Sequence, residues 1–430
     1  MTDVTTSTTG EGKTKPPIYK RLLVDISPLR ESPEFRHLWA AGALSSIGNR
    51  MTAVAVPVQV YALTHSSLAV GLLGIPLAIP LLTLGLLGGS FADAVDRRKL
   101  VLITTSLLAV VSLLFAAQAL LQFHQVWLLY LLIAVQSSLF AIDQPARRAF
   151  VVRLLPRERL PAASALSFLS FQVSMIAGPL LAGVIIATAG LKVAYLVDAV
   201  SFIIGIYATL RLRPMPVQGV WQKPGLGAVA EGLQFVRRQS VLAMTLLVDL
   251  DLTVLGMPFA LFPALGESHF HGGAQTVGLL YAAPAMGGFL SAALSGPLSH
   301  IRRQGLFVLL SVVVWGAASA GFALSPLWLA VVLLAVAGAA DVINGVFRNT
   351  ILQVNTPDAL QGRVGSLEYI VGAGGPYLGN VESGAVAALT SPVISAVSGG
   401  LACIAGVVLL GLAAPAFARY DAKADAGQSR

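Results

Sequence analysis

Long apolar runs set the limit on what this chain of 430 residues can fold into. Stretches long enough to cross a hydrocarbon layer, about 20 residues each, fall at roughly 36–63, 67–91, 99–121, 126–152, 161–189 and 192–212. A second series follows at roughly 241–264, 275–298, 305–324, 327–353, 363–389 and 392–417. Inside a bilayer the backbone has no water to bond with, so runs of this length must satisfy themselves as helices. The reading is an all-α integral membrane protein with 12 transmembrane helices. Charge supports it: Asp, Glu, Lys and Arg make up 11% of the chain, against about a quarter in soluble domains, too few to coat a soluble core of this size.

The runs divide six and six. Residues 1–35 form a polar N-terminal tail, 36–213 a first six-helix bundle, 214–240 a polar linker, 241–418 a second bundle and 419–430 a polar end. The N-terminal stretch lacks the apolar core and small-residue cleavage site of a signal peptide. In the linker, Leu226, Val229, Leu233 and Val236 recur at helical spacing beside Glu231, Arg237 and Arg238. That pattern fits an amphipathic helix lying on the membrane surface; a solvated linker is the alternative. Basic residues gather in loops on one face: Arg97, Arg98 and Lys99; Arg153, Arg157 and Arg159; Arg237 and Arg238; Arg302 and Arg303. The loops of the other face hold Lys192 alone. By the positive-inside rule both ends are expected in the cytoplasm. The net charge of +8 then lies along one membrane face and calls for no nucleic-acid partner.

The halves resemble each other. VGLL at 70–73 recurs at 277–280, and the same offset carries Gly89 of GGSFADAVDRR onto Gly296 of SGPLSHIRR, where His300 replaces Asp93. Asp143-x-x-x-Arg147 maps onto Asn344-x-x-x-Arg348, and Gly178-Pro179 has a counterpart in Gly375-Pro376. Several matches in the same order imply a duplicated six-helix unit, an arrangement that in membranes points to a transporter with its site between two pseudo-symmetric halves.

These residues resemble the major facilitator superfamily. Its loop between helices two and three reads roughly Gly-x-x-x-Asp-Arg-x-Gly-Arg-Arg/Lys; Gly89, Asp93, Arg97, Arg98 and Lys99 fit it, while Ala94 and Asp96 depart from it. SPEFRHLW, AVPVQVYALTHSS, ALFPAL and LQVNTPDALQGRVGSL are similar to the branch that contains bacterial enterobactin exporters and related drug efflux proteins. The resemblance implies two six-helix bundles, alternating access, a bacterial inner membrane and a small-molecule substrate: a siderophore, or alternatively the varied drugs of a multidrug efflux antiporter. Gly178, Pro179 and Gly183 resemble the helix-five motif of the superfamily's antiporters, which favours export. Asp93, with Gly89, Arg97 and Arg98, is expected to latch the inner end of helix two to the start of helix eleven near Gly362 to Gly365. The other reading is that these cations only set topology.

Ions inside the spans are the remaining candidates. One at mid-bilayer costs about 2.5–3.5 kcal/mol even on the mild insertion scale, so it normally faces a partner or a watery cavity. Arg50, with Asn49 and Gln59 on the same span, and Arg147, Arg348 and Glu382 are the expected substrate wall. Asp249, Asp251, Asp143, Glu368 and Asp198 are the proton-coupling candidates. Asp249 and Asp251 lie on different helix faces, so at most one points inward, with Asp249 favoured. Asp143 and Arg147, four apart on one face, equally fit a structural ion pair. Asp341 completes the intramembrane set.

No Gly-x-x-x-x-Gly-Lys-Ser/Thr loop occurs, nor a nucleophile with recognisable context, so the chain reads as neither an ATP-driven pump nor an enzyme. His269-x-His271 offers too few ligands to assign a metal, and Cys403 is the single cysteine. No cofactor is expected; protons supply the energy, and the chain is read as a monomer.

Overall fold

The computed structural model describes residues 25–94, 96–212, 226–296 and 301–421, apart from the side chains at 86–94, 148, 149, 152 and 226–229. Twelve long helices carry the fold. They are α1 (Pro33–Thr64), α2 (Ser67–Leu72 continued by Gly74–Ala94), α3 (Arg97–Leu120), α4 (Val126–Leu154), α5 (Leu160–Ala189) and α6 (Leu191–Leu210). The second set is α7 (Ser240–Leu255, resumed as Phe262–Ser268), α8 (Ala274–Ala293), α9 (Gln304–Phe322), α10 (Leu327–Asn355), α11 (Gln361–Leu389) and α12 (Pro392–Ala413). Among the described residues, ten of these spans are apolar enough to cross a membrane by length and composition alone. The two long helices outside that set are α1 and α11, and both carry intramembrane charges, Arg50 on one and Glu368 and Glu382 on the other.

Within the first six, α1 packs on α5 and α6, α3 on α4 and α6, and α2 on α4. Within the second, α7 packs on α11 and α12, α8 on α10, and α9 on α10 and α12. The sets meet along α2 with α11 and α5 with α8. Glycines make these crossings close: a Cβ on Gly384 of α11 would stand 2.6 Å from the Ser67 carbonyl, and one on Gly183 of α5 2.8 Å from that of Ala274.

All of these close crossings sit toward one membrane face. The largest buried cluster joins both halves there, including Val56, Val60, Phe115 and Tyr195 from the first and Phe262, Leu280, Phe322 and Leu334 from the second. Toward the other face, which carries both described ends of the chain, the buried clusters each belong to one half: Leu38, Val101 and Phe150 in the first, Val308, Phe347 and Ile351 in the second. The halves are sealed at the end away from the basic loops; among the described residues α2 and α11 stay in contact as far as Gly85, where a Cβ would lie 3.3 Å from the Tyr369 hydroxyl, and toward the basic end each half keeps its own core.

Span seven is broken, and the break is satisfied internally. The carbonyl of Gly256, where α7 interrupts, accepts from Trp315 Nε1 at 2.6 Å and from Ser319 Oγ at 3.1 Å, both on α9. Non-helical backbone at this depth is tolerated when protein groups replace the lost bonds. The linker helix Leu226–Arg238 packs on the inner start of α11: Glu231 pairs with Arg363 at 2.6 Å, and Gly232 lies against the Arg363 backbone. Its amphipathic pattern therefore serves a protein contact. Helical structure also begins before the expected tail boundary, at Ser27–Glu31, where Glu31 is clasped by Arg159 at the start of α5.

Candidate functional site

In the first half, Asp143 and Arg147 pair one helical turn apart on α4. Thr104 of α3 donates to Asp143 Oδ1 at 2.6 Å, and Arg147 donates to Thr105 Oγ1 at 2.6 Å. Asp143 is 1% exposed, so the pair is sealed by two threonine hydroxyls within one bundle. Arg148 beside it has no described side chain.

The repeat produces something different in the second half. Arg348 of α10 pairs with Asp249 of α7 and lies 3.8 Å from Glu368 of α11. Asn344, which replaces the acid one turn back, is buried with no hydrogen-bond partner at either amide atom. One arginine thus joins three helices through two carboxylates, one buried and one half-buried.

Arg50 stands apart from both clusters. It lies at the middle of α1 with its guanidinium 5.3 Å above the centre of the Phe171 ring on α5, and Tyr377 of α11, in the opposite half, is among its neighbours. Among the described residues no carboxylate pairs with it. Gly178 makes its place: a Cβ there would overlap the Arg50 side chain and lie 3.1 Å from the Ile47 carbonyl, so the small residue lets α5 press on α1 at the level of the cation. Asn49 is half-buried beside it.

Three of the candidates lie away from these clusters. Gln59 is in a closed network within the first half: its amide pairs reciprocally with Gln118 at 2.9 Å, and Tyr195 donates to its Oε1 at 2.8 Å. That network locks α1, α3 and α6 together and leaves nothing for a ligand. Asp198 is 0% exposed and accepts 2.8 Å bonds from Thr52 and Ser112, again where α1, α3 and α6 meet and away from the second half. Asp251 points at α12, where its carboxylate fills the notch over Gly406 beside Cys403. Asp249 and Asp251 do lie on different faces, and Asp249 is the one turned toward the arginine. Glu382, in the outer part of α11, forms no ion pair among the described residues.

With this geometry the chain was compared with known proteins. Residues 24–427 match the model of a family described as Transmembrane secretion effector, one of the facilitator families. The chain belongs to the major facilitator superfamily. The enterobactin exporter EntS of Citrobacter koseri is 31% identical over 392 residues, covering 91% of this chain and 93% of that one. EntS of an Escherichia coli strain is 30% identical, covering 90% and 94%. Among solved structures, the nucleoside transporter NupG superposes with a TM-score of 0.69 at 16% identity over 90% of this chain and all of that one. A bacterial homologue of the lysosomal transporter Spinster gives 0.66 at 17% identity, covering 91% and 96%. At such identities the structural likeness speaks for the fold alone.

As a facilitator the chain carries the superfamily's loop between α2 and α3, and its two ends behave differently. The side chains of Gly89 and Asp93 lie outside the described residues, so the expected latch acid has no described contacts. On its expected partner surface a Cβ on Gly362 or Gly365 would meet no described atom within 4 Å, while Arg363 between them pairs with Glu231 of the linker helix. Arg98 donates to the Leu210 carbonyl at 2.8 Å and the Thr209 carbonyl at 3.3 Å, capping the end of α6. This contact stays within the first half and does not bridge the halves. Asp96, the departure from the facilitator motif, caps α3 by accepting from the backbone N–H of Arg98 at 2.9 Å and of Lys99 at 3.3 Å. An Asp just before a helical run is a start signal that the motif comparison passed over. Phe171, Tyr377 and the threonines at 104 and 105 were also missed, because aromatics and threonines in an apolar run look like ordinary span residues.

Proposed function

We propose that this facilitator is a proton-coupled, alternating-access exporter of small aromatic anions of the catecholate siderophore kind. The observation that carries the reading is Arg50, a half-buried cation without a carboxylate partner among the described residues, set over an aromatic ring at mid-depth with Tyr377 of the other half among its neighbours. An unpaired cation in that position is costly unless a ligand completes it, and the ring flanking it favours a ligand with a flat aromatic body. The relatives that carry the name enterobactin exporter support the substrate class.

Residues 36–213 and 241–418 are the two rocking units in this reading, and 214–240 the linker between them. In this reading the basic face is cytoplasmic, the tight glycine seam is the outer seal, and the inner ends of the helices are where the halves part. Arg348, shared by Asp249 and Glu368, is the coupling element: protonating either acid leaves the arginine with one partner and frees it to move. Gly178 and Gly183 let α5 pack against α1 and α8 on either side of Pro179. Asp93 with Arg97 serves the opposite state, closing the inner ends.

The test uses the purified chain in liposomes with an acid interior, counting molecules in the orientation that exposes the basic face outside. A catecholate siderophore should accumulate, stop when the gradient is dissipated, and fall about 10–100-fold in apparent affinity with Arg50→Gln, the worth of a hydrogen bond to a charged group. No gradient-dependent uptake, or an unaltered Arg50→Gln variant, overturns the proposal. A chamber walled by aromatics also suits varied amphiphiles, so uptake of cationic dyes without the catecholate would select multidrug efflux instead.

A further inference from the structure

Asp341 has no part in the clusters described above, and its position is unusual. It is the midpoint of α10, as Arg50 is close to the midpoint of α1. Val332 and Val336 mark the lipid side of α10, at 50% and 42% exposure. Nine residues on from Val332, at about 100° per residue, Asp341 falls on the opposite side. It is nevertheless half-buried rather than sealed, unlike Leu334, Ala337 and Asn344 around it, so its residual surface faces an interior space. Gly345, one turn on, borders open room, since a Cβ there would meet nothing within 4 Å. Arg348 lies two turns along the same stripe, about 10.5 Å of rise away, and reaches Asp249 and Glu368 instead.

No hydrogen bond or ion pair engages the Asp341 carboxylate among the described residues. The helices packed on α10 are α7, α8 and α9. Of these, α9 has no ionisable side chain and α8 has Tyr281 alone, whose hydroxyl is spent on the Phe259 carbonyl at 2.9 Å. On α7, Asp249 is taken by Arg348 and Asp251 turns to α12. The other unmatched ion at this depth among the described residues is Arg50, and α11 links the two walls: its Tyr377 neighbours Arg50 while its Glu368 lies 3.8 Å from Arg348 of the Asp341 stripe.

We infer that Arg50 and Asp341 are the two poles of one binding chamber, and that Asp341 selects ligands carrying an ammonium or similarly strong donor group opposite their anionic end. This rests on the reading of the space between the halves as the transport chamber. The physical reason is charge balance. Arg50 alone would favour simple anions, but an anion bound there leaves Asp341 uncompensated and closes it off from water. A ligand with both charges, or with an anion and a row of donor hydroxyls and amides, satisfies both walls at once.

Three probes with one fluorophore separate the poles: dansylglycine (anion), dansylcadaverine (cation) and Nα-dansyl-lysine (a carboxylate and, at the far end of its side chain, an ammonium), titrated against the purified full-length chain. Nα-dansyl-lysine should bind most tightly to the wild type. Asp341→Asn should weaken the two ammonium-bearing probes about tenfold or more and leave dansylglycine unchanged or tighter; Arg50→Gln should weaken the two carboxylate-bearing probes. Thermal unfolding of both variants checks folding, and Asp341→Glu should restore the preference for the ammonium. Equal binding of all three probes to the wild type, or a uniform change in Asp341→Asn, overturns the inference. Transport of a catecholate that persists in that case would leave the exporter reading intact, whereas insensitivity of every probe to Arg50→Gln would count against that reading itself.

Discussion

The same four-residue spacing, an arginine one turn after an acid or its amide, does opposite things in the two halves. On α4 the acid is in the same helix, and Thr104 and Thr105 close the pair off. On α10 the amide Asn344 offers Arg348 no charge, so the arginine reaches to α7 and α11 for its acids. A single exchange of Asp for Asn in a duplicated unit turns a bond within one helix into a tie among three. The first is suited to stiffening a bundle, the second to sensing how its helices stand to one another.

Four substitutions test that contrast. Arg348→Gln should have the largest effect, because it strands Asp249 at 1% exposure; breaking a buried pair costs about 3–5 kcal/mol. Arg147→Gln should cost less, since Thr104 still holds Asp143. Equal losses in thermal unfolding in detergent would remove the distinction. Asn344→Asp restores the first half's pattern in the second, giving Arg348 an acid in its own helix. Transport should then fall about tenfold, equivalent to about 1.4 kcal/mol on the barrier, while the unfolding temperature changes little. Unchanged transport would show that the tie among three helices is idle. The smallest effect belongs to Thr105→Val, which removes one hydrogen bond from a partly exposed Arg147, about 1 kcal/mol, with transport retained; a transport defect there would mean that the first half also senses.

Much of the architecture is legible in the sequence because the property that makes a span, twenty apolar residues in a row, is local. The twelve helices fall within a few residues of the runs that announce them, and the duplication is visible in VGLL and in the Asp143 and Asn344 pair. Charges inside spans are equally visible, which is why Arg50, Asp249 and Arg348 stand out. What they touch is not. Asp198 and Asp249 look alike as isolated acids in apolar runs, yet one is wrapped by hydroxyls from α1 and α3 and the other meets an arginine from α10. That difference arises from which helices cross, and no pattern within a single helix contains it. Gln59 reads as a cavity residue for the same reason, its partner Gln118 lying 59 positions away.

The seam between the halves is made where backbone nearly touches backbone, at Gly384 against Ser67 and Gly183 against Ala274. Such a joint has no side chains that can shrink or swing aside to make room for a change. A methyl group is the smallest step available to a mutating gene beyond glycine, and at these positions even that step props the joint apart. The basic ends, where each half keeps its own core, bear no such restriction. Drift in this chain is therefore steered unequally by its two membrane faces: one side can alter its contacts residue by residue, while the other must keep its outline or change on both strands of the seam together.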